Sequence, residues 1–224
     1  MLTAPSANLT MKVKIWSDVV CPYCYIGKRE FERALADFPH RDQVEVVWKS
    51  FELDRDAPER STEKVYAHLA NKYGRTLQQA KEMVAGVVER ARTLGLAFNM
   101  DKAIRCNSFH AHRMIHFAGT KGKADVAKER LFQAHFVLGE PVSDRVKLKE
   151  IADSIGLDGA EAEQVLHTAA FADEVRADEV EASQIGVRGV PFFVLDDRYA
   201  VSGAQPAAHF QEALQRAWEE RVRA

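Results

Sequence analysis

The stretch that most restricts this chain is Trp16-Ser17-Asp18-Val19-Val20-Cys21-Pro22-Tyr23-Cys24-Tyr25-Ile26-Gly27-Lys28. Before it, Met11 to Val20 carries Val13, Ile15, Val19 and Val20 with no Gly or Pro, the pattern of a buried strand. After it, Ile26, Phe31, Ala34, Leu35 and Phe38 recur at three-to-four-residue intervals, the spacing of a helix. Pro22 suits the first helical turn, where no backbone N–H is needed. The Cys-X-X-Cys pair is thus predicted at the amino end of a helix that directly follows a strand.

That position has a chemical meaning. Unpaired N–H groups and the positive end of the helix dipole stabilise an anion there, and thiols in such motifs ionise at roughly pH 3.5–7.5 instead of ~8.5. Cys21 is expected to be the more exposed and more acidic sulfur and to attack. Cys24, one turn on, is expected to resolve, closing a small disulfide that reopens by exchange. A chance pair on a surface loop and a structural zinc site are the competing readings. Zinc needs further ligands, and the candidates Cys106, His110, His112 and His116 are scattered along one later segment, so no metal is expected and redox chemistry is preferred.

Composition enters as a set of exclusions. Lys plus Arg is 31 and Asp plus Glu is 33, so 31 − 33 gives −2, and neither nucleic acid nor an anionic membrane is indicated as a partner. No apolar run approaches the ~20 residues of a membrane span. The first ten residues lack the charged start and apolar centre of a signal peptide, which predicts a short disordered lead-in and a cytoplasmic protein. Only three cysteines occur, Cys21, Cys24 and Cys106, too few for a disulfide scaffold.

Further along, Val44, Val46 and Trp48 predict a second strand parallel to the first. From about residue 57 to 168 the periodicity is helical throughout. One helix opens at Ser61 and ends at Gly74. Thr76 and Gln79 form a capping box for the next, and others follow at 108–118, 123–138, 143–155 and 158–168. A helix over 170–185, a strand after Pro191, a turn at Asp196-Asp197, a partner strand at 199–202 and a closing helix over 206–223 complete the chain. The expected domains are 1–56 with 169–224 as an α/β unit and 57–168 as an inserted helical domain.

This order resembles the thioredoxin fold with a large all-helical insertion, as built in DsbA-like proteins. Within that superfamily Ile15 to Lys28, Asn107-Ser-Phe-His-Ala-His-Arg113, Gly186-Val-Arg-Gly-Val-Pro-Phe-Phe-Val194 and Ser202-Gly-Ala-Gln-Pro206 resemble the FrnE-like branch. The resemblance implies a thiol–disulfide oxidoreductase with Cys21 as nucleophile and Cys24 as resolving cysteine. It places Val190–Pro191 at the family's cis bond, where the Val190 backbone can pair with an extended peptide or glutathione. Asn107, His112 and Arg113 match the helix that packs over the site. Gln205 lies in the segment that holds glutathione in relatives, and Ala204 departs from the usual Ser there. No cofactor is required, glutathione is a possible co-substrate, and a reducing or oxidising recycling partner is implied. Tyr23 replaces the His of DsbA itself, so a milder oxidant is expected than its ~−120 mV, in the glutaredoxin range of about −200 to −230 mV. Cys106 is read as a buried free thiol. Two other functions share the architecture or its groove: a glutathione-dependent isomerase or transferase of the 2-hydroxychromene-2-carboxylate isomerase or kappa type, and a non-catalytic peptide-binding holdase.

Overall fold

The computed structural model describes residues 10–223, and the expected lead-in over the first ten residues lies outside that range except for Thr10. Four strands form one mixed sheet in the order β2-β1-β3-β4: β1 (Met11–Ser17), β2 (Val44–Ser50), β3 (Phe192–Leu195) and β4 (Tyr199–Ser202). β1 and β2 are parallel, joined by helix α1 (Pro22–Ala36), whereas β1 and β3, and β3 and β4, are antiparallel. In register, Ile15 sits between Trp48 and Phe193, and Val13 between Val46 and Leu195. Val13, Ile15, Phe193 and Leu195 are buried together with Phe31 of α1 and with Phe210 and Leu214 of the closing helix α9 (Ala207–Arg223). Trp16, Phe192 and Val194 turn to the opposite side, with Ala182 of α8 (Ala172–Gln184).

Between β2 and β3 the chain builds the helical insertion: α2 (Val65–Tyr73), α3 (Leu77–Thr93), α4 (Phe109–Thr120), α5 (Ala124–Phe132), α6 (Arg145–Ser154) and α7 (Gly159–His167). It is not a separate lobe. Met114, Leu131 and Ile151 from α4, α5 and α6 share one continuous apolar cluster with the sheet residues. Thr76 and Gln79 make the expected capping box at the start of α3, and Asp158 accepts from the amides of Ala160 and Glu161 at the start of α7. Gly74 ends α2 in the left-handed region at φ 59°.

Three boundaries differ from the sequence expectation, each for a local reason. β1 stops at Ser17 instead of continuing to Val20, because the Asp18 carboxylate takes the amide of Val20 and, across the molecule, that of Leu53. α2 begins at Val65 and not near Ser61, because Lys64 pairs as an isolated bridge with Ile104. The predicted helix over 123–138 is α-helical only to Phe132. It continues as a π-helical segment over Gln133–Leu138, closed by Gly139 at φ 71°. Among the described residues no helix is long and apolar enough to cross a membrane.

Candidate active site

Cys21 occupies the residue immediately before α1, with Pro22 in the first turn. Its amide donates to the Asp18 carbonyl at 3.2 Å, and its own carbonyl accepts from the Cys24 amide at 3.0 Å, so the pair is wound into the helix start. Both cysteines are free thiols, and their side chains lie within hydrogen-bonding reach of each other. The Cys21 thiol faces the Val190 carbonyl at 3.6 Å, and the Val190–Pro191 peptide bond is cis.

The expectation of an exposed, acidic Cys21 needs correction. Cys21 is only 4 % exposed and Cys24 1 %. The hydrogen bond with Cys24 and burial push the Cys21 thiol above its ordinary value, against the lowering effect of the Cys24 amide. The helix start is present, but the pair lies beneath a cover that sequence spacing does not reveal. Part of this cover is the proline loop, admitted by the absence of a side chain at Gly27. A Cβ there would stand 2.8 Å from Pro191 Cγ and 3.5 Å from the Ala204 Cα.

Beside Cys21 a groove of about 490 Å³ is lined by Tyr23, Glu30, Arg90, Val190, Pro191 and the segment from Gly203 to Pro206. Glu30 organises one wall, accepting the Ala207 amide at 3.1 Å and meeting Arg90 at 3.3 Å. Arg90, from α3 of the insertion, also donates to the Ala204 carbonyl. Gln205 folds back to donate to the Ser202 carbonyl at 2.9 Å. Tyr23 stands at the rim, half exposed.

Beneath the cysteines lies a second, fully buried group that sequence reading did not assemble. Asp18 is completely covered, and His112 Nε2 from α4 lies 3.4 Å from its Oδ1. Burial alone would push the Asp18 carboxyl up. His112, the Leu53 amide and Ser108 overcome this and hold it below the ordinary carboxylate value. Lys128, from α5, enters the same region and donates to the Ser17 carbonyl at 3.0 Å.

The residues expected at the site therefore separate into two sets. Val190, Pro191 and Gln205 line the groove, and Cys21 meets its wall at the Val190 carbonyl, with Cys24 one turn into the helix. His112 acts at one remove, through Asp18. Asn107 divides its amide between the Phe109 amide at 2.8 Å, which fixes the start of α4, and the Arg55 carbonyl at 3.1 Å. Arg113 is a buried staple donating to the carbonyls of Ala170 (2.7 Å), Thr168 (2.5 Å) and Val165. The zinc candidates also separate: His110 pairs with Arg113 and Arg145, and His116 with Ser50 and Asp178. Cys106 is a free buried thiol that burial pushes up to about 11.

Comparison with known proteins agrees with this geometry. The model of the DSBA-like thioredoxin domain matches residues 12–215. The chain belongs to the DsbA-like thioredoxin family. A probable DsbA oxidoreductase from Streptomyces coelicolor is 45% identical over 94% of this chain and 91% of its own, with a TM-score of 0.89. The uncharacterized protein YwbO of Bacillus subtilis (strain 168) is 29% identical over 212 residues, 92% of this chain and 96% of that protein. The cytosolic disulfide reductase DsbM of Pseudomonas aeruginosa, solved with GSH, shares the fold at 16% identity and a TM-score of 0.63, covering 95% of this chain and all 100% of that one.

Proposed function

We propose that this DsbA-like chain is a thiol–disulfide oxidoreductase in which Cys21 and Cys24 cycle between dithiol and disulfide. The observation that carries the reading is the placement of two adjoining sulfurs at a helix start, with Cys21 turned to the groove wall at Val190. In the reducing direction the Cys21 thiolate attacks one sulfur of a substrate disulfide, and the other sulfur leaves as a thiolate. The Cys24 thiolate then attacks Cys21 Sγ, forming the Cys21–Cys24 bond and releasing the second substrate thiolate. Two electrons pass to the substrate, and a partner dithiol or disulfide resets the pair.

The groove between Tyr23, Val190 and Gln205 suits an extended peptide or a small thiol, and we take glutathione as a candidate co-substrate. Arg90 and Glu30 form an ion pair at 3.3 Å in the groove wall, which offers polar groups of both signs to a peptide or glutathione. Scarce cysteine favours work in a reducing compartment, and we place the protein in the cytoplasm. A glutathione-dependent isomerase or transferase needs no resolving sulfur, whereas this chain has one within reach of Cys21.

The test is insulin reduction and refolding of a scrambled disulfide substrate by wild type, Cys21→Ser and Cys24→Ser. Loss of turnover in both variants, with a trapped mixed disulfide in Cys24→Ser, is expected. Undiminished activity on a chromene or haloarene substrate in Cys24→Ser would overturn the reading, as would inert wild-type protein in both disulfide assays.

A further inference from the structure

Lys128 is a charge without an evident reason. Its residue is 1 % exposed, and among the described residues no carboxylate comes within ion-pair distance of its Nζ. The Ser17 carbonyl at 3.0 Å takes one donor, and the ring centres of Trp48 and Phe132 each lie 5.4 Å from Nζ. Burying an ammonium this way costs several kcal/mol unless something nearby compensates it. A side chain kept only for packing would be better served by methionine or leucine. The groups that favour its charged form are, in order, Cys24, Asp18 and Cys21, with Lys28 opposing. Asp18 is already committed to His112 and to the Val20 and Leu53 amides. Cys24 shares one buried cluster with Phe132, over whose ring the Lys128 ammonium lies, and it is the group that most favours the charged lysine.

We infer that Lys128 is a positioning residue that the helical insertion supplies to the cysteine pair, a buried ammonium whose counter-ion is the Cys24 thiolate formed during exchange. The inference rests on the reading of Cys21 and Cys24 as an exchanging pair and says which of its steps the insertion serves. After substrate is captured on Cys21, the buried Cys24 thiol must lose its proton in a site with little water. With Lys128 charged near it, the Cys24 thiol releases its proton to water, the thiolate attacks Cys21 Sγ, the bond between Cys21 and the substrate sulfur breaks, and that sulfur leaves as a thiolate that takes a proton from water. Once the Cys21–Cys24 bond exists the ammonium has lost its counter-charge, and its own proton is held less firmly. This matches a lysine that burial already brings down to about 8, despite the pull of the sulfurs.

The experiment reads ionisation and not turnover, so it stands apart from the insulin assay. In a Cys21→Ser background, the pH midpoint of thiolate absorbance reports Cys24, since Cys106 titrates only near 11. Adding Lys128→Met should raise that midpoint by about one pH unit or more, a tenfold loss of thiolate at neutral pH. Lys128→Arg should restore most of the shift. The second measurement uses wild type with ε-labelled lysine and follows Lys128 by NMR in both redox states. Its midpoint should be lower in the disulfide form than in the dithiol form. An unchanged Cys24 midpoint in folded Lys128→Met, or the same Lys128 midpoint in both redox states, overturns the inference. If Lys128→Met does not fold, the NMR comparison alone decides.

Discussion

Two lysines on the facing helices α1 and α5 are almost equally buried and have opposite surroundings. Lys28 is 2 % exposed and meets three carboxylates: Glu32, Glu129 at 3.1 Å and Asp125 at 3.4 Å. Burial works to lower its affinity for the proton, and Asp125, Glu32 and Glu129 reverse that, holding the ammonium above the ordinary lysine value. Lys128, 1 % exposed, has no such partner among the described residues, and burial brings it down to about 8. The first charge is compensated in the resting molecule and belongs to the architecture that joins α1 to the insertion, together with Tyr25, whose hydroxyl donates to Glu129 at 2.6 Å and whose ring stacks on Phe132. The second awaits compensation. A buried charge with partners holds a fold together, and one without partners points to a charge that appears only when the molecule works.

The contrast can be broken by making Lys28 resemble Lys128. Glu32→Gln combined with Glu129→Gln leaves only Asp125 against Lys28 and should cost about 3–5 kcal/mol, the usual penalty of an under-compensated buried charge. Urea unfolding at pH 7 measures it. Lys128→Met should instead leave the urea midpoint unchanged or higher, because it replaces a poorly compensated charge by an apolar chain of similar size. A large loss in Lys128→Met with none in the double variant would invert the comparison.

The pH dependence of stability separates the same two groups by sign. The folded-state value of Lys128, about 8, lies below the 10.5 of an ordinary lysine, so between those values the unfolded chain binds more protons and stability rises with pH. The contribution is about 3 kcal/mol across that window, and it should vanish in Lys128→Met. The value for Lys28 is raised above 10.5, so its contribution is present below that pH and is lost as pH climbs through the folded-state value. Unfolding midpoints of reduced wild type and Lys128→Met from pH 7 to 11 should therefore diverge. Parallel curves would remove the basis for treating Lys128 as uncompensated.

A smaller effect sharpens the other boundary of the site. Gly27→Ala leaves both lysines in place but sets a methyl group 2.8 Å from the Pro191 ring. Overpacking of this kind costs about 1–2 kcal/mol. The proline loop must also shift against Cys21, so exchange should slow by more than the stability loss explains. Urea midpoints and insulin-reduction rates on the same preparation test this.

The sequence carried the fold because periodicity reports which faces are buried, and the faces of β1, α1, β3 and α9 each present an unbroken apolar pattern to one core. It also located Cys21, Cys24 and the proline loop, whose residue types are informative in themselves. It did not reveal the polar floor of the site. Lys128 lies on a helix where a lysine every few residues is ordinary, and nothing local distinguishes it from Lys121 or Lys123. Its burial follows from α5 packing over the start of α1, a contact across more than a hundred residues. The same limitation led sequence reading to place Asn107 and Arg113 at the site. Both are buried and polar, yet Asn107, just before α4, bonds to Arg55 and Phe109, and Arg113 donates to Val165, Thr168 and Ala170 at the end of the insertion. Of the buried group, His112 is named through the family resemblance, and Asp18 carries a signal of its own, an acidic residue at the end of an apolar run, where a buried carboxylate needs partners from elsewhere.

The most direct test equilibrates the protein against a graded series of glutathione redox buffers, quenches with acid and assigns disulfides by peptide mass. The account predicts one two-electron transition that links Cys21 to Cys24 and leaves Cys106 reduced, with a midpoint in the range of about −200 to −230 mV typical of glutaredoxins. A pair that stays unlinked at every ratio, or a bond that forms through Cys106 instead, would contradict it.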